Sequence, residues 1–313
     1  MKRFTLVMVA ICAVGFLAGC AKNPTISPLF PPSPPTRFYV ANFSDHLVVA
    51  YTLPLGGTST PAFTLTTSST GGGIVADAAN NLYVPSGTNI LVYAQPVKST
   101  STPTTIGPIA GAGSFRGAAI DRAGNLWVVD ATGKQIFQFT LPLVSATPLR
   151  VLQCACFTFP FSVTFDRGGH IFVADDGGFV AVLNVPAAAG TTVGAAVAII
   201  AAPGASGIAA DAANRLFVAD FAGGEINIFT PPFATGNTPS DSLFPPGTLT
   251  TPEQMLFDSA GNLYVAYNSD TTLTPTGGVA IFGPPVNGSS FPSLTLQGTV
   301  SGLTDPQGVA FAP

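Results

Sequence analysis

Five segments of the sequence align without gaps: Gly73-IVADAANNLYV, Gly117-AAIDRAGNLWV, Ser162-VTFDRGGHIFV, Gly207-IAADAANRLFV and Gln254-MLFDSAGNLYV. Their aspartates, Asp77, Asp121, Asp166, Asp211 and Asp258, stand 44, 45, 45 and 47 residues apart. Self-similarity at a period of about 20–50 residues means an array of supersecondary units, each burying its apolar face only against its neighbours. Inside every unit an alternating apolar strand ends at the aspartate. Three residues on stands Asn80, Gly124, Gly169, Asn214 or Gly261, a residue type that tolerates the left-handed backbone of a short hairpin, and a second apolar strand follows. An aspartate at that place can accept hydrogen bonds from the N–H groups of its own turn, so these five read as structural.

The second strand carries an aromatic at a fixed position: Tyr83, Trp127, Phe172, Phe217 and Tyr264. Tyr39, in Arg37-FYVAN, keeps the same 44-residue spacing to Tyr83 but has no Asp-turn strand before it. The missing strand lies at the other end of the chain, in Asp305-PQGVAFAP. Third strands follow each aromatic, from Leu47-VVAY to Val279-AIF, and fourth strands show in Phe63-TL and Leu294-TL. Six aromatics, six third strands and a ring-closing terminus predict an all-β, six-bladed β-propeller over 37–313, its first blade closed by the C-terminal strand. Closure of this kind removes free sheet edges, whereas a solenoid would need two caps. The aromatics are then expected as core between blades.

The segments FDSAGNLYVAY, IDRAGNLWVVD and FYVANFSDHLVVAY resemble the repeats of NHL and YVTN propellers and, more distantly, of the SMP-30/gluconolactonase group. The resemblance covers most of 37–313. It is specific for fold and not for activity, because this scaffold hosts binding proteins, lactonases and lyases.

Ahead of the repeats stands a different kind of sequence. Lys2 and Arg3 precede the apolar stretch Phe4 to Leu17, and Leu17-Ala18-Gly19-Cys20 resembles the lipobox of bacterial lipoproteins. On that resemblance 1–19 is a signal peptide and Cys20 is the lipidation site and membrane anchor. An ordinary secretory signal with an incidental cysteine is the alternative. Residues 20–36 hold six prolines after Cys20 and favour an extended polyproline II spacer. Ala21, beside the lipidated cysteine, favours the outer membrane or cell surface over the inner membrane by resemblance to enterobacterial lipoproteins. Beyond the leader the longest apolar run is Ala195 to Ala202, well short of the roughly 20 residues of a spanning helix. The chain without its leader has 9 basic and 15 acidic side chains and no basic block, which excludes a phosphate backbone as partner.

In propellers of this kind, the residue before each innermost strand faces the channel mouth. Here these are Gly72, Arg116, Phe161, Ser206, Glu253 and Gln307. In the lactonase group the same ring supplies Asn, Asp and Glu ligands to a divalent metal. Calcium wants six or more oxygens, and a ring holding one carboxylate and an arginine disfavours it, so no metal or other cofactor is expected. Arg116, Glu253 and Gln307 are the first candidates for contacting a small polar ligand, with an Arg116–Glu253 ion pair or separately solvated side chains as the alternative. At the ends of second strands stand Asp130, Asp175, Asp176 and Asp220, with Asn42 and Asn268 in matching places. Asp130, Asp175 and Asp220 are further candidates, as a ring attracting cations or basic partners; capping of their own turns is the competing role.

No Ser-His-Asp set, HExxH or phosphate loop is present, and only His46 and His170 exist. No catalytic residue is therefore assigned. Cys154 and Cys156 remain after the leader. In an extended strand their Cβ atoms would lie roughly 6.6 Å apart, beyond disulfide reach, so pairing requires a turn at Ala155. The reading is an envelope-anchored propeller, monomeric, binding a protein, glycan or small molecule through its loop face. A metal-dependent lactonase is the rival.

Overall fold

The computed structural model describes residues 35–312, apart from 70, 246–248 and 269–276. The leader, Cys20 and the spacer as far as residue 34 lie outside the described residues. The chain folds into five four-stranded sheets and one five-stranded sheet. Each innermost strand contacts its neighbours around a complete circle, so the sheets are the blades of a six-bladed propeller. Among the described residues the only helix is a single 3₁₀ turn, Thr299–Ser301.

Blade 1 is closed as the repeat requires. Pro306–Ala312 pairs antiparallel with Arg37–Asn42, in the register Phe38 opposite Phe311 and Val40 opposite Val309. The strands Leu47–Thr52 and Phe63–Thr66 complete that sheet outward. A non-local pairing thus holds the two ends of the described chain together and gives blade 1 the innermost strand that its repeat lacks.

The core is divided among the blades' interfaces. Six apolar clusters fill them, and each repeat aromatic belongs to a different one: Tyr39, Tyr83, Trp127, Phe172, Phe217 and Tyr264. All six are buried, Tyr264 being the most exposed at 9%. Full burial of a side chain of this size contributes roughly 2–3 kcal/mol, so one residue per repeat anchors each joint.

The Asp-turns also follow one rule. Asp121 accepts hydrogen bonds from the Asn125 amide at 2.8 Å and from Trp127 Nε1 at 2.8 Å. Asp77 accepts from the Asn81 amide at 2.9 Å and the Tyr83 hydroxyl at 2.7 Å. Where the aromatic is a phenylalanine and has no proton to donate, the residue four after the aspartate is a ring or cation instead. His170 Nδ1 lies 2.7 Å from Asp166, and Arg215 Nε donates to Asp211 at 2.7 Å. Burial acts to raise the Asp166 carboxyl, but the His170 contacts outweigh it and hold it below the usual range. The third residue after each aspartate has a positive φ, from 62° at Asn214 to 87° at Gly261, as the residue types demanded.

Two features have no counterpart in the repeat. Gly190–Gly194, from the loop joining the third and fourth strands of blade 4, adds a fifth strand to blade 3, parallel to Arg150–Cys154. It covers an outer edge that would otherwise stay unpaired. Cys154 and Cys156 form a disulfide, across a turn that brings their Cα atoms to 5.0 Å. The turn at Ala155 removes the extended geometry that would have kept them apart.

Candidate ligand site at the channel mouth

The innermost strands all run from the loop face toward the Asp-turns, and five of them carry a register shift near their start. The shifts fall between Phe115 and Ala118, Pro160 and Ser162, Ala205 and Ile208, and Pro252 and Met255, and blade 1 skips Gln307 between Pro306 and Gly308. Such an extra residue turns a side chain out of the ladder. Arg116, Phe161, Ser206, Glu253 and Gln307 are therefore inside the strands, at bulges, and not one step before them as the repeat alone implies. Gly72 precedes its strand, Val75–Ala76.

One residue further on, the ring tightens into a waist. A Cβ on Gly73 would lie 2.6 Å from the Arg116 carbonyl oxygen, and one on Gly117 2.6 Å from that of Phe161. On Gly207 it would lie 2.0 Å from the Glu253 oxygen, and on Gly308 2.0 Å from the Gly72 oxygen. Each glycine thus faces the mouth residue of the following blade, and its missing side chain lets the strands converge. Blades 4 and 6 carry Ser162 and Gln254 instead. The Gln254 Nε2 reaches Gly117 in the blade opposite, 3.0 Å from where a Cβ would stand. Beneath lies a cavity of about 240 Å³ lined by all six innermost strands, with Ile120, Phe165, Ile208, Phe257 and Phe311 among its walls.

Above the waist the polar groups are buried and incompletely paired. Glu253 is 2% exposed, and its Oε2 has no hydrogen-bond partner within the protein. Burial pushes its carboxyl up to about 8; Asp305 and Asp176 push the same way and Arg116 opposes them. Arg116 also has a buried Nε without a protein partner, and burial lowers its basicity against the attraction of Glu253. Its guanidinium carbon lies 5.3 Å from the centre of the Phe43 ring and 5.6 Å from that of Phe161, within cation–π range. The ion pairs among the described residues are His170–Asp166 and Arg215–Asp211, so Arg116 and Glu253 interact across the mouth without contact. Gln307 Oε1 is likewise without a protein partner, whereas the Ser206 hydroxyl donates to the Pro252 carbonyl at 2.9 Å. An unpaired buried polar group costs roughly 1–3 kcal/mol, so three around one opening mark a place prepared for something polar.

The second set of candidates is arranged otherwise. Asp130 is fully buried and accepts from the Gly113, Ser114 and Gly133 amides at 2.8–3.1 Å and from Gln135 Nε2 at 3.1 Å. Asp175, also fully buried, accepts from the Thr158, Phe159 and Gly177 amides at 2.9–3.0 Å. Asp220 accepts from the Gly223 amide at 2.7 Å. These carboxylates cap their hairpins, and Asp130 and Asp175 also tie the incoming loop to its own blade. The structure brings Arg116, Glu253 and Gln307 together and engages Asp130 and Asp175 elsewhere. It adds Asp305, Asp176 and Phe43 to the mouth. Asp305 accepts from Asn268 Nδ2 at 2.5 Å and from the Ser44 hydroxyl. Among the described residues no three His, Cys, Asp or Glu side chains converge as a metal site.

No protein-family model and no curated protein sequence matches the chain. Solved structures do. A protein of unknown function from Bacteroides caccae superimposes with a TM-score of 0.63 over 89% of this chain and 99% of its own, at 10% identity. A streptogramin B lyase gives a TM-score of 0.49 at 10% identity, over 89% of this chain and 88% of its own. A virginiamycin B lyase from Staphylococcus aureus gives 0.40 at 13% identity, over 69% and 71%. At such identities the likeness is one of fold.

Proposed function

We propose that the chain is a lipid-anchored envelope propeller that binds a small polar ligand at the mouth of its loop face. The anchor rests on Leu17-Ala18-Gly19-Cys20 and the proline-rich spacer that follows. The observation that carries the binding role is the set of buried groups at one opening, Glu253 Oε2, Arg116 Nε and Gln307 Oε1, without partners inside the protein. A preformed concave site with a few convergent polar groups is the ordinary form of a small-ligand pocket.

The test is a thermal-melt screen of small polar metabolites against the full chain and an Arg116→Gln, Gln307→Ala double variant. A ligand at a hundred times its Kd adds about 2.7 kcal/mol, which for a domain of this size raises Tm by roughly 5–10 °C. Hits are expected to lose most of that shift in the double variant. Hits that stabilise both proteins equally would place the ligand elsewhere. For the anchor, Cys20→Ser is expected to move the chain from the membrane fraction to the soluble fraction.

A further inference from the structure

The two faces of the propeller differ in charge. Among the described residues the turn face carries six basic and six acidic side chains. The loop face carries eight carboxyl groups and two basic groups, Arg116 and Lys134. An acidic surface alone is no site. Here it surrounds Glu253, which is 2% exposed, aimed into the mouth and left with Oε2 unpartnered. The charged groups acting on Glu253 are Asp305 from the loop entering blade 1, Asp176 from the blade 4 hairpin and Arg116 from blade 3. Two carboxylates thus stand against one guanidinium, and that guanidinium is drawn toward the faces of Phe43 and Phe161. Once ionised, Glu253 would leave the mouth with an uncompensated negative charge in a buried place, which is costly without a counter-ion. The two free acceptors, Glu253 Oε2 and Gln307 Oε1, call for a group with several N–H donors, such as a primary ammonium; the Arg116 Nε–H, itself a donor, takes no part.

We propose that the mouth binds a small organic amine, its ammonium held by Glu253, Gln307 and Asp305 and its apolar body directed toward Phe161. This rests on the reading of the mouth as the ligand site. Because burial and its acidic neighbours keep Glu253 protonated at neutral pH, an arriving ammonium releases that proton to solvent. Each binding event then exchanges one proton for one ammonium, and the site's net charge does not change. The acidic loop face also draws cations toward the opening before they dock.

The experiment is calorimetric titration of the full chain with n-butylammonium, n-butanol and n-butyrate at matched ionic strength, in buffers of different ionisation enthalpy. The three probes share one apolar body and differ only in the head group. Butylammonium alone is expected to bind, with release of about one proton at pH 7 and affinity tightening about tenfold from pH 6 to pH 7. Glu253→Gln is expected to abolish the proton release and weaken binding at least about tenfold; Asp305→Asn, away from the buried ring, is expected to weaken it by a smaller factor. Butyrate binding in place of the amine would overturn the amine assignment while leaving the mouth as a ligand site, centred on Arg116. Amine binding without proton release, unchanged in Glu253→Gln, would reduce the effect to surface attraction and overturn it too. If none of the probes binds, the amine assignment falls, while the mouth itself stands or falls on the metabolite screen with Arg116→Gln, Gln307→Ala.

Discussion

The turn face and the loop face are built from the same repeat and differ in how completely their buried polar groups are paired. On the turn face Asp77, Asp121, Asp166, Asp211 and Asp258 are each paired with the residue four positions on. Neighbouring turns are linked as well, Arg122 donating to the Arg167 carbonyl and the Arg167 amide to Asn214. On the loop face the repeat breaks. Its six mouth positions carry six different residues, and three of them leave buried polar atoms without a protein partner. A group that recurs in every blade and is fully paired builds the blade. The mouth groups occur once each, are buried and lack a partner within the protein.

The largest effect is expected on the turn face. Asp121→Ala removes the acceptor of Asn125, Trp127 and Gln138 and leaves the buried indole N–H unpaired. A loss of about 3–4 kcal/mol, or roughly 5–8 °C in Tm, is expected with ligand binding at the mouth unchanged. Equal damage to binding would break the separation between the faces. Next comes the waist. Gly207→Ala drives a methyl into the Glu253 carbonyl, 2.0 Å away, and is expected to cost about 2–3 kcal/mol. Gly124→Ala, with open space around it but a φ of 80°, should cost about 1–2 kcal/mol for backbone strain alone. Denaturant melts of the pair separate close approach from strain.

Glu253→Gln has the opposite sign. Folded, the carboxyl holds its proton up to about pH 8, whereas unfolded it releases it near its ordinary value of 4.5. Between those values the unfolded chain binds fewer protons, so the stability of the native protein falls as pH rises through the window. Glutamine suffers no such loss. Its advantage at pH 9 should vanish by pH 4, as paired melts would show. The smallest effect belongs to the disulfide. Because it closes so short a loop, Cys154→Ser with Cys156→Ser should cost about 1–2 kcal/mol and leave the far blades' protection from hydrogen exchange unchanged.

The repeat made the fold legible because each blade interface needs one large aromatic and each Asp-turn needs a left-handed residue, and both sit at fixed offsets. The coupling of Asp to donor was also legible: a phenylalanine at Phe172 or Phe217 coincides with His170 or Arg215 two residues earlier. The strand Gly190–Gly194 was not, since it pairs across blades and belongs to no period. Bulges placed Arg116, Glu253 and Gln307 inside the innermost strands, a backbone irregularity that residue type does not announce. Asp130 and Asp220 looked alike in sequence, and only geometry separates a carboxylate with four donors from one with a single donor among the hydrogen bonds of the fold. Asp305 and Phe43 join the mouth from loops where no repeat marks them.

The binding role proposed for the mouth requires that Arg116, Glu253 and Gln307 form an open polar site and do not satisfy one another. A crystal structure of the chain, at a resolution that shows ordered water, tests it directly. Density for water or a bound molecule is expected within hydrogen-bond distance of Arg116 Nε, Glu253 Oε2 and Gln307 Oε1. A mouth closed by a direct Arg116–Glu253 ion pair, with Gln307 turned into the same network, would contradict it.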